Sequence, residues 1–118
     1  MEKKLDISVI SPVFNELENL ETFVESVTEV MNSINMSWEL IIVDDGSDDG
    51  SSKILKKIGH QENIRSILLS KNYGQTTAIQ AGFDNAVGEY FVTLDSDLQN
   101  DPKAVSYTHL RAHETVGN

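Results

Sequence analysis

The chain has 118 residues, of which 39% are hydrophobic and 24% are charged, a balance that predicts a single soluble domain with one core of modest size. It contains no cysteine, which excludes disulfides, thiolate zinc sites and cysteine nucleophiles. The net charge of −10 argues against nucleic-acid binding, which needs Lys and Arg along the contact surface. There is no signal-peptide pattern, and no apolar run approaches the ~18–20 residues of a membrane span, so a cytoplasmic chain is expected.

Strand and helix patterns alternate along the first half of the chain. Residues 5–11 are typical of a strand, and residues 18–35 carry an apolar stripe at helical spacing. The segment WELIIVD, residues 38–44, is apolar on both faces, as expected for a buried parallel strand. Ser51 or Ser52 is then predicted to cap a short helix.

The alternation continues in the second half. Residues 64–70 predict a third strand, and residues 89–95 predict a fourth. Between them, apolar positions from Ile79 to Val87 predict a helix that ends at a glycine C-cap, Gly88. The connections are long enough for parallel pairing. The sequence therefore predicts an α/β fold of Rossmann type, with four mainly parallel strands and flanking helices.

Carboxylates are concentrated at the ends of two of these strands. The segment LIIVDDGSDDG, residues 40–50, contains four aspartates that follow the second strand. The segment DSDLQ, residues 95–99, lies at the end of the fourth strand. Because ligands bind outside the carboxyl ends of the strands in open α/β sheets, both acidic segments are expected at the ligand-binding edge.

The second acidic segment favours a divalent cation. Asp95 and Asp97 can direct their oxygens to one centre if the chain bends, and Gln99 can add a neutral oxygen. All-oxygen ligands select a hard ion such as Mg²⁺ or Mn²⁺. Motifs for other ligands are absent: no G-x-G-x-x-G follows the first strand, and neither G-x-x-x-x-G-K-[ST] nor G-x-S-x-G occurs.

Four segments in register carry a resemblance to a known family: SPVFNE, IIVDDGSDDGS, LSKNYGQTTAIQAGFDNAVGEY and VTLDSDLQNDP. From residue 5 to about residue 103 the chain resembles the family 2 glycosyltransferases with the GT-A fold, in particular the branch that transfers a sugar to a polyprenyl or dolichyl phosphate. The resemblance implies a UDP- or GDP-sugar donor and metal-assisted, inverting transfer. It also implies, for the full-length protein, a lipid phosphate acceptor and a place at the cytoplasmic face of a membrane.

The same resemblance places the catalytic base downstream of the Asp-x-Asp segment. No catalytic residue is therefore assigned in this sequence, and the chain is expected to be an N-terminal fragment that binds nucleotide without transferring sugar. Pro12, Phe14 and Glu16 match positions that flank the nucleoside. Val43 and Asp45 match positions that hold and read the base.

Further positions match the phosphate and metal side of the family's site. Asp95 and Ser96 correspond to positions near the ribose and phosphates. Asp97 and Gln99 correspond to the metal ligands, and Asp95 is expected to be a third ligand. Lys71 is a candidate to balance the charge of the diphosphate.

The other aspartates of residues 40–50 are assigned local roles. Asp44 is expected to order its own loop. Asp48 and Asp49 lie at the start of a predicted helix, where the helix dipole favours negative charge. Of the four aspartates in this segment, Asp45 is thus predicted to be the one that contacts a ligand.

Two other functions compete with this interpretation. A phosphoacceptor signalling domain also has a doubly wound sheet and an acidic Mg²⁺ pocket. Such a domain would place its acidic pair after the first strand and its phosphorylated aspartate after the third. A nucleotidyltransferase would need a glycine-rich loop with Arg or Lys after the first strand, where this sequence has SPVFNE.

The final segment, residues 105–118, differs from the rest of the chain. It reads VSYTHLRAHETVGN, lacks a sustained apolar stripe, and resembles a translated sequencing adapter. The natural domain is therefore expected to span residues 1–104, with a non-native tail that packs poorly. The i, i+4 spacing of His109 and His113 is attributed to chance, because no third metal ligand is evident.

Overall fold

The fold is given by a computed structural model that describes residues 5–96 and the backbone of residues 109–110. Its elements in chain order are β1 (Leu5–Val13), α1 (Leu17–Asn32), β2 (Trp38–Asp44), α2 (Ser51–Ile58), β3 (Ile64–Leu68), α3 (Gln75–Asn85), β4 (Gly88–Thr93) and β5 (His109–Leu110). No helix in the described part of the chain is long and apolar enough to cross a bilayer.

The strands form one sheet in the order β3-β2-β1-β4-β5. The first four are parallel to their neighbours, whereas β5 pairs with β4 in the antiparallel sense. The predicted α/β fold with four parallel strands and flanking helices is confirmed. Because β1 and β2 are adjacent and central, the loops that follow them meet at one edge of the sheet, which we call the carboxyl edge.

Helices cover both faces of the sheet, and each face has its own apolar core. On one face α1 and α2 contribute residues such as Phe23 and Leu55 to the larger core. On the other face α3 packs Ala78 against Ile10 and Val43. This double coverage explains why every residue of β2 is buried.

Close approach of α3 to the sheet requires a glycine in the helix. A Cβ on Gly82 would lie 2.4 Å from Cγ2 of Ile10 and 3.4 Å from Cγ2 of Val43. Beside it, the rings of Phe83 and Phe91 stack with their centroids 5.0 Å apart. The position of α3 over β1 and β2 is therefore set by tight packing.

Two of the predicted helix ends are wrong. Gly50, with φ of 98°, is the N-cap of α2, so neither Ser51 nor Ser52 caps this helix. At the end of α3, Ala86 is the C-cap and is extended, and Gly88 is the first residue of β4. Gly88 is needed there for a different reason, since a Cβ would lie 2.6 Å from the backbone nitrogen of Ser8.

Strand β5 was not predicted and lies within residues 105–118. Leu110 pairs with Phe91, and His109 pairs with Val92. The remaining residues of this segment, His113 among them, lie outside the described part of the chain. The domain boundary near Ala104 and the foreign origin of the tail therefore stay predictions.

Candidate functional site

A small pocket opens at the carboxyl edge, between the ends of β1, β2 and β4 and the start of α3. Its volume is about 140 Å³. The residues that line it are Pro12, Val13, Phe14, Glu16, Asp45, Gln75, Asp95 and Ser96. Every lining residue except Val13 and Gln75 is a predicted site residue, so the structure brings most of the predicted set together. We call this cavity the carboxyl-edge pocket.

Larger cavities lie elsewhere on the surface. One of about 490 Å³ runs between α1 and α2 and is lined by Glu21, Glu25 and Glu29 over apolar side chains. Another of about 440 Å³ lies near the start of β2. Neither is at the carboxyl ends of the strands, where α/β sheets bind ligands, so size alone does not identify the site.

The β1–α1 loop is fixed by bonds to the acidic loop after β2. The backbone nitrogen of Asn15 donates to Oγ of Ser47 at 2.8 Å, and Oδ1 of Asn15 accepts from the backbone nitrogen of Asp48 at 2.9 Å. Asn15 itself has a left-handed φ of 53°, a conformation that asparagine tolerates. These bonds position the neighbouring Phe14 and Glu16 at the pocket.

Asp44 orders the acidic loop, as predicted. Its side chain is buried, and Oδ1 accepts from the backbone nitrogen of Ser47 at 3.2 Å and from the Ser47 hydroxyl. Because Ser47 also accepts from the Asn15 amide, Asp44 indirectly holds the β1–α1 loop.

Asp49 links the starts of two helices. Its Oδ1 accepts from the backbone nitrogen of Ser51 at 3.0 Å and from the Ser51 hydroxyl at 2.6 Å, and its Oδ2 accepts from the backbone nitrogen of Leu17 at 3.1 Å. Burial raises the pKa of Asp49, but the bonds from Ser51 and Leu17 outweigh burial and lower the pKa below its ordinary value. Its role extends beyond the local one predicted, because it also fixes the start of α1.

Asp45 is committed mainly to the turn before α3. It is 4% exposed, and its carboxylate accepts from the backbone nitrogen of Tyr73 at 2.8 Å, from that of Gly74 at 2.9 Å and from Nδ2 of Asn72 at 3.3 Å. An ionised carboxylate has about four acceptor positions, so these three donors leave one position, on Oδ1, for a ligand. The role of Asp45 as a base reader stays a prediction.

Gly46 allows the same turn to lie against the acidic loop. Its φ is +78°, and a Cβ at this position would lie 2.3 Å from the carbonyl carbon of Lys71 and 2.5 Å from the backbone nitrogen of Asn72. Both contacts are with backbone atoms, which cannot move aside independently. Glycine is therefore required for the two loops to interlock.

Two predicted site residues are not among those that line the pocket, and their binding roles stay predictions. The side chain of Val43 is fully buried in the core beside Ile10 and Ala78. Lys71 is exposed outside the pocket lining, and its Nζ lies 5.5 Å from the ring centroid of Tyr73, within the range of a cation–π contact.

The predicted metal ligands are described only in part. Asp95 is exposed in the pocket lining, beside the buried Ser96, whereas Asp97 and Gln99 lie outside the described residues. No group of three or more His, Asp or Glu side chains within residues 5–96 is arranged to hold a metal ion. The carboxylates of Glu16 and Asp95 are nevertheless hard oxygen donors of the kind that Mg²⁺ and Mn²⁺ prefer.

Gln75 is a lining residue that sequence reasoning missed. It is the first residue of α3 and directly follows the turn at residues 71–74. The available signal was its place just after the carboxyl end of the third strand, where loops of α/β sheets face ligands.

Comparison with known proteins identifies the family. The family model described as glycosyl transferase family 2 matches residues 8–115. A curated relative, undecaprenyl-phosphate 4-deoxy-4-formamido-L-arabinose transferase of Salmonella choleraesuis (strain SC-B67), is 40% identical over 110 residues, which are 92% of this chain and 34% of the relative. The chain thus spans about a third of the length of the curated relatives it matches.

Solved structures share the fold. S. aureus TarS in complex with UDP-GlcNAc aligns with a TM-score of 0.66 and 25% identity, over 78% of this chain and 26% of that one. The mannosyltransferase PcManGT from Pyrobaculum calidifontis, in complex with GDP-Man and Mn²⁺, aligns with a TM-score of 0.68 and 22% identity, over 80% and 28%. Taken with the family match, these similarities show that the chain belongs to glycosyl transferase family 2.

Proposed function

We propose that this chain is the nucleotide-sugar-binding part of a glycosyltransferase that transfers a sugar to a polyprenyl phosphate. The observation that carries the proposal is the convergence of Phe14, Glu16, Asp45 and Asp95 on one pocket at the carboxyl edge. Family membership supports the reaction class, and the activity named for the 40% identical relative supports a lipid phosphate as acceptor. A phosphoacceptor domain fits neither the family match nor the position of the acidic loops. A nucleotidyltransferase fits neither the family match nor the segment SPVFNE after β1.

The pocket is suited to part of a nucleotide sugar. At about 140 Å³ it is smaller than the ~300–1,000 Å³ of typical ligand sites, so it would hold the nucleoside or the sugar but not both. Phe14 is 44% exposed at the rim and offers a ring face to a base or ribose. The rest of the binding wall would come from residues beyond 96.

A divalent cation would suit this pocket if the ligand carries a diphosphate. Glu16, Asp45 and Asp95 all contribute carboxylates to the lining, and like charges repel phosphate oxygens at close range. The residues that would hold Mg²⁺ or Mn²⁺ are Asp95, with Asp97 and Gln99 as the further predicted ligands. Such an ion, when bound, would neutralise the negative charge that develops on the leaving diphosphate.

The chain's own residues would bind and orient the donor. Asp44, Asp49 and Ser47 hold the β1–α1 loop, which carries Phe14 and Glu16, so that both side chains are in place before the ligand arrives. We further propose that the catalytic base and the acceptor site lie downstream of the Asp-x-Asp segment in the full-length protein and are not supplied by this chain. The 118-residue chain is then expected to bind nucleotide and to transfer no sugar.

Calorimetric titration of the chain with UDP, GDP and ADP, each with Mn²⁺, tests the proposal. UDP or GDP should bind at least about tenfold more tightly than ADP, because a site that recognises the base makes at least one hydrogen bond that adenine cannot make. A tenfold difference in affinity is roughly 1.4 kcal/mol, about the contribution of one hydrogen bond. Failure of the folded chain to bind either UDP or GDP would contradict the proposal. A second outcome would contradict the proposal that this chain lacks the catalytic base: transfer of sugar by the 118-residue chain from a UDP- or GDP-sugar to undecaprenyl phosphate.

A further inference from the structure

Gln75 differs chemically from the other polar residues of the carboxyl-edge pocket. Glu16, Asp45 and Asp95 are carboxylates, which accept hydrogen bonds when ionised but cannot donate them. Ser96 can donate, but it is only 2% exposed. Among the described lining residues, Gln75 is therefore the exposed side chain that can offer an N–H group to a ligand.

The backbone that carries Gln75 is held firmly. Asp45 binds the backbone nitrogens of Tyr73 and Gly74, the two residues directly before it. Asn72 adds bonds from its Nδ2 to the carbonyl oxygen and to Oδ2 of Asp45, at 3.1 and 3.3 Å. The Asp45 carboxylate thus places the first turn of α3 relative to the pocket.

The position of Gln75 relative to the sheet indicates which part of a nucleotide its side chain would contact. Helix α3 packs on β1 and β2, whereas Asp95 follows β4 on the other side of β1. If the cation and the diphosphate lie near Asp95, the nucleoside lies toward Asp45 and Gln75. Uracil and guanine both carry carbonyl oxygens, which need N–H donors when they are removed from water.

We propose that Gln75 contacts the bound nucleoside diphosphate, donating from Nε2 to a carbonyl oxygen of its base, and that Asp45 is the residue that positions Gln75. The inference rests on the proposed nucleotide site and adds a specificity contact to it. It also gives Asp45 an indirect role in place of the direct base contact expected from the sequence.

The first test is the affinity of Gln75 variants for UDP and GDP with Mn²⁺, by calorimetry. Gln75→Ala removes the amide, and Gln75→Glu keeps the shape while replacing the donor by an acceptor. Both should weaken binding of the preferred nucleotide by about tenfold, the usual effect of losing one hydrogen bond. Gln80→Ala is the matched control, because Gln80 is exposed on the same helix and binds Asp84 at 3.0 Å outside the pocket. It should bind within about twofold of the original chain.

The outcomes separate this inference from the function on which it rests. If the original chain binds UDP or GDP and the Gln75 variants bind it equally well, Gln75 makes no contact and the inference is overturned while the nucleotide site stands. If the original chain binds neither nucleotide, the proposed function fails, and the inference falls with it. Circular dichroism of each variant confirms that the fold is retained.

The second test asks whether Asp45 acts through Gln75. Asp45→Asn should weaken nucleotide binding, and combining it with Gln75→Ala should add little further loss, because both changes remove the same contact. Additive losses would overturn the positioning role, since they mean that Asp45 touches the ligand itself. Should Asp45→Asn fail to fold, Asn72→Ala serves the same purpose from an exposed position, and its loss should likewise disappear in the Gln75→Ala background.

Discussion

Buried carboxylates lie near both ends of β2 and stabilise the fold at each, but the groups that they bind differ between the two ends. Near the start of β2, Glu39 is 5% exposed and accepts from the Ser8 hydroxyl at 2.6 Å and from the backbone nitrogen of Val87 at 2.9 Å. Its other oxygen pairs with Nη2 of Arg65 at 3.2 Å. The Ser8 hydroxyl in turn accepts from the backbone nitrogen of Gly88. We call these five residues the amino-edge network.

At the carboxyl edge, the partners of Asp44, Asp45 and Asp49 are amide and hydroxyl groups, which carry no formal charge. The charges of these three carboxylates are therefore met by hydrogen bonds from uncharged groups. At the amino edge, by contrast, Glu39 pairs with the cation of Arg65. The contrast is between a buried carboxylate that pairs with a cation of the chain and carboxylates that order the loops around the pocket.

The two edges share helix α3. Asp45 binds the turn that begins it, and Glu39 binds Val87 just beyond its end. Arg65 also donates to the carbonyl oxygen of Asn85, the last residue of the helix. The helix that presents Gln75 to the pocket is thus fixed at both ends by carboxylates of β2 and its following loop.

The largest expected effect is at the amino edge. Glu39→Ala leaves the Ser8 hydroxyl and the Val87 amide without their acceptor and removes the ion pair with the half-exposed Arg65. It should lower the free energy of unfolding by about 3 kcal/mol, mainly because two donors are left unsatisfied. Urea denaturation measures the loss. Glu62→Ala, at an exposed position, is the control and should change stability by less than ~0.5 kcal/mol. A Glu39→Ala chain within ~1 kcal/mol of the original would show that the network is not structural.

A somewhat smaller effect is expected where the two carboxyl-edge loops interlock. Gly46→Ala adds a Cβ that collides with the backbone of Lys71 and Asn72, and should cost about 2 kcal/mol and weaken UDP or GDP binding by displacing the turn. Gly50→Ala is the matched control: it also has a positive φ, but its Cβ would meet only Leu17 at 3.6 Å. It should cost about 1 kcal/mol and leave nucleotide affinity unchanged. Equal effects of both changes would show that backbone strain, not loop contact, matters at Gly46.

The smallest effect concerns Asp49 and depends on pH. Because the pKa of Asp49 is lowered in the folded chain, its charge stabilises the fold above the unfolded-state value, ordinarily 3.8, and this contribution is lost as the pH falls through the folded-state pKa. Because solvent screens this partly exposed charge, Asp49→Asn should cost only a few tenths of a kcal/mol at pH 7 and progressively less in acid. Denaturation at pH 7 and pH 3 measures the difference. Asp48→Asn, at an exposed position, should change little at either pH. A loss at Asp49 that is constant with pH would contradict an ionic contribution.

Much of the fold and the place of the site were predictable, because both depend on local patterns. Apolar periodicity identified the strands and helices, and the carboxyl-edge rule then brought Phe14, Glu16, Asp45 and Asp95 together. What could not be predicted depends on partners distant in sequence. Glu39 meets Val87 across 48 positions, and Asp45 meets Gly74 across 29. No local pattern reveals such pairs.

Val43 shows a second limit. A strand that is covered on both faces is apolar throughout. Its sequence therefore has no alternation of polar and apolar residues that would distinguish core residues from site residues. Its neighbour in sequence, Asp44, is equally buried but is polar and bound to Ser47. Burial of this strand was predicted correctly, but the family resemblance still placed Val43 among the binding residues, so its separation from the pocket lining had to be observed.

The cation dependence of nucleotide binding tests the proposed site at the carboxyl edge most directly. UDP and GDP would be titrated into the original chain and into Asp95→Asn, with Mn²⁺ and with excess chelator. The preferred nucleotide should bind at least about tenfold more tightly with Mn²⁺ than with chelator, a gain of roughly 1.4 kcal/mol, and Asp95→Asn should remove most of that gain. Equal affinity with chelator, or a gain that Asp95→Asn leaves intact, would contradict a cation held at this edge by Asp95.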